Sequence, residues 1–131
     1  MGALTTSEPP VWIVDGMNVI GSVPDGWWRN RPAAMKRLVA RLEGLAPPVR
    51  VVVVFDGRRR HDIAPTGPDL EVCFAGAGRG AADDLIVELV AQRFNTGATV
   101  VTSDHELGRR VGQLGAQVMS SGQLLERLAD D

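Results

Sequence analysis

Cysteine is almost missing from this sequence. Cys73 stands alone among 131 residues, so no internal disulfide can form, as expected of a protein kept in a reducing cytoplasm. Lysine is as scarce: Lys36 is the single one among fourteen basic residues, a bias that fits the codon usage of a GC-rich genome. An excess of positive charge is missing too. The net charge is -2, so any attraction for a polyanion must come from local clustering rather than from the sum. No apolar run is long enough to span a bilayer, and no membrane association is expected. The start of the chain, MGALTTSEPP, lacks the basic region and apolar core of a secretory signal. It matches the spacing of an N-myristoylation signal, a short pattern often met by chance. Residues 1–10 therefore read as a flexible tail and residues 11–131 as one domain, large enough to bury a core of its own.

What is present is an alternation of apolar runs of strand length with segments of helical period. VWIVD (11–15) is a first strand, and GSVPDGWWRNRP a loop broken by Gly21, Pro24 and Gly26. Pro32 suits the first turn of a helix carrying Met35, Leu38, Val39, Leu42 and Leu45 on one stripe, stopped by Gly44 and Pro47-Pro48. VRVVVVFDG (49–57) is the strongest strand, and its unbroken valines fit a strand covered on both faces. LEVCFA (70–75) follows as a short strand. A helix from Ala81 places Ala82, Leu85, Ile86, Leu89 and Val90 inward and ends near Asn95-Thr96-Gly97. ATVVT (98–102) is a further strand. Ser103 with Glu106 has the spacing of a capping box, opening a helix with Leu107, Val111 and Leu114 inward. AQVMS (116–120) and a short terminal helix complete the chain. Strands separated by helices imply an α/β fold of three layers, a mainly parallel central sheet between helices, with ligands expected outside the carboxyl ends of the strands.

Three strands end in an acid: VWIVD in Asp15, VVVVFD in Asp56 and TVVTSD in Asp104. In a parallel sheet all three emerge at one edge. Asp83 shares the inward side of its helix with Ile86 and Val90, so the first turn aims it at the same place, with Asp84 as second choice. Singly, each acid has a plain explanation. Asp-Gly pairs are common turns after strands, and acids favour helix starts. Independent turns have no reason to gather at one edge, however. Gathered carboxylates repel and raise each other's pKa unless a cation neutralises them, and an oxygen-rich site without thiol or imidazole suits Mg²⁺ or Mn²⁺. Such ions activate water against a phosphodiester. Asn18 is placed to bind phosphate or to orient an acid, and Gly16 and Gly57 to let backbone come close to a ligand.

Taken together, VDGMNVIG, VVVFDG, GAADDLIVELV and VVTSDHELGRRV resemble the NYN domains of the PIN-like nuclease superfamily, most nearly the bacterial YacP-like branch. The resemblance covers the chain from about Val11 to the last helix. It implies a Rossmann-like (PIN-like) fold and metal-dependent cleavage of RNA. Asp15 and Asn18 match the first motif, D-G-x-N; Asp56 matches the acid after the second strand, Asp83 the acid opening the third-motif helix, and Asp104 the S-D pair after the fourth strand. Met17 stands where an aromatic is often found, which removes a stacking platform there. The carboxy-terminal portion is short for that branch, so ribosome-linked activity is not implied.

GRRRHD (57–62) sets three arginines and His61 directly after Asp56, where they would draw RNA and position its phosphates. Arg58, Arg59, Arg60 and Arg79 are the expected substrate contacts, with Ser103 beside Asp104. The plain alternative is a solvated loop. Trp27 and Trp28 suit base stacking, a cap on the core, or a contact in a homodimer. Against the nuclease stands a catalytically inactive RNA- or protein-binding module of the same fold, which retention of all four acids opposes. A receiver-like signalling domain needs a lysine after a late strand, and Lys36 lies in the first predicted helix. An aspartyl-phosphate phosphatase needs a second aspartate where Met17 stands.

Overall fold

Val51, Val52, Val53, Val54 and Phe55 are each fully buried, and that run sets the architecture. Alternate residues of a strand face opposite sides, so a strand buried at every position must be covered on both. The computed structural model describes residues 10–45, 49–65, 67–93 and 97–129, and shows five strands in one parallel sheet. In chain order they are β1 (Val11–Asp15), β2 (Arg50–Phe55), β3 (Leu70–Phe74), β4 (Thr99–Val101) and β5 (Gln117–Met119). Their order across the sheet is β3-β2-β1-β4-β5, every neighbouring pair parallel. The helices are α1 (Gly16–Gly21), α2 (Arg31–Glu43), α3 (Ala81–Gln92), α4 (His105–Gly112) and α5 (Ser121–Ala129).

Two cores follow from the pleat. Trp12, Val14, Val51, Val53 and Phe55 pack against α1, α2 and α5. Ile13, Val52, Val54 and Val100 pack against α3 and α4. A fully buried valine contributes about 1.5–3 kcal/mol, so the β2 run is among the largest apolar contributions to the fold. β1 is central. The chain winds outward to β2 and β3, then crosses to the other side of β1 for β4 and β5. This reversal lies between β1 and β4, and in open α/β sheets the crevice beyond it collects ligands.

Several local readings need correction. Residues 16–20, assigned no element from sequence, form α1 together with Gly21, which was expected to open the loop; the helix buries Gly16, Val19 and Ile20. Gly16 serves packing rather than ligand approach: a Cβ there would meet the Phe55 ring at 2.5 Å. Trp27–Arg29 make a 3-10 turn within the expected loop. The cap of α4 is Asp104, whose side chain accepts the Leu107 N–H at 3.1 Å; the Ser103–Glu106 capping box does not form. A reciprocal box forms instead at α5. Gln123 Oε1 accepts the Ser120 N–H at 2.9 Å, and Ser120 Oγ accepts the Gln123 N–H at 3.1 Å. α4 ends at Gly112, so Leu114 falls off the inward stripe and is 41% exposed. Pro32 lies in the first turn of α2, as expected, and Asn30 caps that helix. The N-terminal tail before Pro10, the stop at Pro47-Pro48 and the helix end at Asn95-Thr96 lie outside the described residues.

Candidate active site at the carboxyl edge of the sheet

Asp15 shares the pleat face of Val11 and Ile13, which is the face covered by α3 and α4. Asp83 lies in the first turn of α3 and Asp104 caps α4. The sheet parity and the two helix starts therefore converge. Asp15, Asn18, Asp56, Asp83 and Asp104 all line one cavity of about 330 Å³, with Met17 beside them.

Asp15 is only 6% exposed. Its carboxyl is pushed up to about 6, first by burial and then by the negative charges of Asp83 and Asp104. The Thr102 hydroxyl, donating to Asp15 Oδ2 at 2.9 Å, and the Asn18 main-chain N–H pull the other way. Asp83 is raised as well, by burial and by Asp104, with Arg110 opposing. The carboxylates thus act on each other across the cavity.

Asn18 holds the site together from behind. Its Oδ1 accepts the Ser103 N–H and the Ser121 hydroxyl, each at 2.8 Å. Ser103 Oγ accepts the Ser121 N–H at 3.0 Å. Ser103 therefore joins β4 to α5, a different employment from the substrate contact expected of it. Asp84 is likewise engaged elsewhere, 3.1 Å from Arg110, where it ties α3 to α4 outside the cavity. Asp56 lies at the cavity's rim, about half exposed, with its Oδ1 3.6 Å from Arg31. Arg58, Arg59 and Arg60 line the adjoining cavity, whereas exposed Arg79 lines neither. Trp27 packs on the core and meets Trp28 edge-on, leaving Trp28 55% exposed.

Thr102, Ser121 and Arg31 escaped the sequence reading. For Thr102 there was a signal, a hydroxyl two residues before Asp104 at the end of an apolar strand. For Ser121 and Arg31 only the tertiary fold supplies one.

The ionisable groups lining the cavity are carboxylates alone, the donors preferred by hard dications. Among the described residues no three Asp, Glu, His or Cys side chains stand close enough together to hold a metal ion as they are placed.

A family model described as the YacP-like NYN domain matches residues 12–131. Among solved structures, the crystal structure of Rae1 (YacP) from Bacillus subtilis is similar with a TM-score of 0.73 at 26% identity, covering 92% of this chain and 74% of that one. A single-substitution mutant of the same protein gives a TM-score of 0.74 at 27% identity, covering 92% and 76%. No curated protein matches the chain. No described helix is long and apolar enough to cross a membrane.

Proposed function

The chain belongs to the YacP-like NYN domain family, a nuclease-type fold, and on that footing we propose that it is a metal-dependent ribonuclease cutting RNA internally. The observation that carries the reading is Asp15, a buried carboxyl pushed up to about 6 beside two more carboxylates in the same cavity. Such a group is tuned for something other than stability. Mg²⁺ or Mn²⁺, when bound, supplies the neutralising charge and the Lewis acidity that activate water against a phosphodiester.

The chain's own residues do the rest. Asp15, Asp83 and Asp104, which line the same cavity, would hold the ion, with water filling its remaining positions. Thr102 fixes Asp15, and Asn18 fixes the β4–α5 junction that carries Asp104. Arg58 and Arg59 draw the RNA backbone toward the acids, as phosphate contacts generally position rather than specify.

The test uses end-labelled single-stranded RNA with Mn²⁺ or Mg²⁺, with EDTA as control. Internal cuts that require the ion and vanish in a folded Asp15→Asn variant support the proposal. RNA that is bound but never cut, whatever the divalent ion, would replace it with the catalytically inactive binding module.

A further inference from the structure

Beside the acid cavity lies a larger one of about 690 Å³, and the two share Asp56 and Gly78. Its volume falls within the roughly 300–1,000 Å³ of ligand pockets. Arg58, Arg59 and Arg60 form one wall, on the loop after β2. That loop is fastened down. Ile63 is buried in the core, and Asp62 pairs with Arg60 at 3.4 Å and with Lys36 of α2 at 3.1 Å. Arg31, the first residue of α2, lines the same cavity.

Arg31 is held from two sides. Its guanidinium carbon lies 5.8 Å from the centre of the Trp27 ring, and Nη2 lies 3.6 Å from Asp56 Oδ1. Trp27 is itself anchored on the core. The contact with Asp56 is too long for a hydrogen bond, and both side chains are about half exposed. It orients the guanidinium without using up its fork of N–H donors, which matches the oxygens of a phosphate. Resting on the nuclease reading above, the geometry points to Arg31 as a phosphate-binding residue of a groove leading into the acid cavity, with Trp27 and Asp56 as the groups that hold it there. Asp56 is then a positioning residue at the seam between the two cavities, and its carboxylate serves Arg31 rather than the ion. The ligand is the backbone of single-stranded RNA next to the scissile phosphate, tracked by a basic groove.

The experiment measures binding of a labelled single-stranded oligouridylate in EDTA, over a range of salt, to wild type, Arg31→Ala, Asp56→Asn and the double variant. Cleavage is followed separately against Mn²⁺ concentration. Arg31→Ala is expected to weaken binding about tenfold and to lower the log–log salt slope by about 0.7, the share of one phosphate contact on a single strand. Asp56→Asn is expected to change RNA binding but not the Mn²⁺ concentration for half-maximal cleavage, and its effect should disappear in the Arg31→Ala background. Arg31→Ala binding with wild-type affinity and slope overturns the inference. So does an Asp56→Asn effect that is unchanged without Arg31, or that appears as a raised Mn²⁺ requirement. Arg31-dependent binding by a wild type that never cuts overturns the nuclease reading while upholding this one. A wild type that does not bind the RNA overturns both. Melting temperatures establish that each variant is folded, which the exposure of both side chains favours.

Discussion

Thr102 donates its hydroxyl hydrogen to Asp15 Oδ2 at 2.9 Å, with both residues buried. Thr102 Oγ1 in turn accepts the Asp104 main-chain N–H at 3.1 Å, so one hydroxyl sets the place of two site carboxylates. Valine has nearly the same shape without the hydroxyl. Thr102→Val should cost about 1–3 kcal/mol, since it leaves a buried carboxylate and an amide short of a partner. It should also move the acid limb of the pH–activity profile upward, because the hydrogen bond favouring ionised Asp15 is lost. Denaturant titration and a pH–rate profile check this; an unmoved acid limb removes Thr102 from the site.

Asp15 should make the protein less stable as pH rises. Its carboxyl, raised from 3.8 to about 6, holds a proton more tightly folded than unfolded. Between those two values the folded state binds more protons, so stability falls with rising pH across that window and stays low above it. The shift corresponds to as much as about 3 kcal/mol at neutral pH, at about 1.4 kcal/mol per unit. Asp15→Asn should therefore be more stable than wild type at pH 7.5 and nearly equal to it below pH 4. Mn²⁺ should raise the melting temperature of wild type at pH 7.5 and not that of the variant. Melting curves at both pH values, with and without the ion, read all of this. A variant less stable at pH 7.5 would show that the carboxylate is not under strain.

Gly16 follows Asp15 and opens α1 against Phe55. A methyl group here would lie 2.5 Å from two ring atoms and 3.0 Å from the Val54 carbonyl oxygen. Gly16→Ala normally helps a helix, by about 1 kcal/mol. Overpacking of about 1–3 kcal/mol should outweigh that gain, giving a net loss of stability and a displaced Asp15. Denaturant titration should show the loss, and cleavage should fall with it. A stabilised Gly16→Ala would mean that the Phe55 ring gives way freely.

β1 and β2 were legible because burial on both faces leaves an apolar run that nothing else explains, and the acids ending β1, β2 and β4 were legible by the same geometry. α1 was not. It has six residues, begins and ends in glycine, and is held by the packing of Val19 and Ile20 rather than by propensity. At α4 the spacing of Ser103 and Glu106 pointed to Ser103 as the cap. The helix took Asp104, while the Ser103 hydroxyl was drawn to Ser121, eighteen residues later in the chain. Asp84 was separable from Asp83 by helical phase, but its partner Arg110 on α4 is fixed only by the packing of two helices. Arg31 had no signal, because its relation to Trp27 and Asp56 exists only in three dimensions.

Asn18 tests whether its amide serves the fold or the substrate. Its Oδ1 is occupied by the Ser103 N–H and by the hydroxyl of fully buried Ser121. Asn18→Ala removes both acceptor contacts and should cost about 1–3 kcal/mol. Because the β4–α5 junction carries Asp104, kcat should fall while KM for RNA stays near wild type; a phosphate contact would instead raise KM. Asn18→Asp keeps an acceptor oxygen in place but adds a charge to the acid cavity. Without metal it should be no better than Asn18→Ala, whereas Mn²⁺ should restore much of its stability by neutralising the added charge. Thermal melts of both variants with and without Mn²⁺ decide the matter. Equal instability of the two under Mn²⁺ would mean that the hydrogen bonds to Ser103 and Ser121 are not what Asn18 contributes.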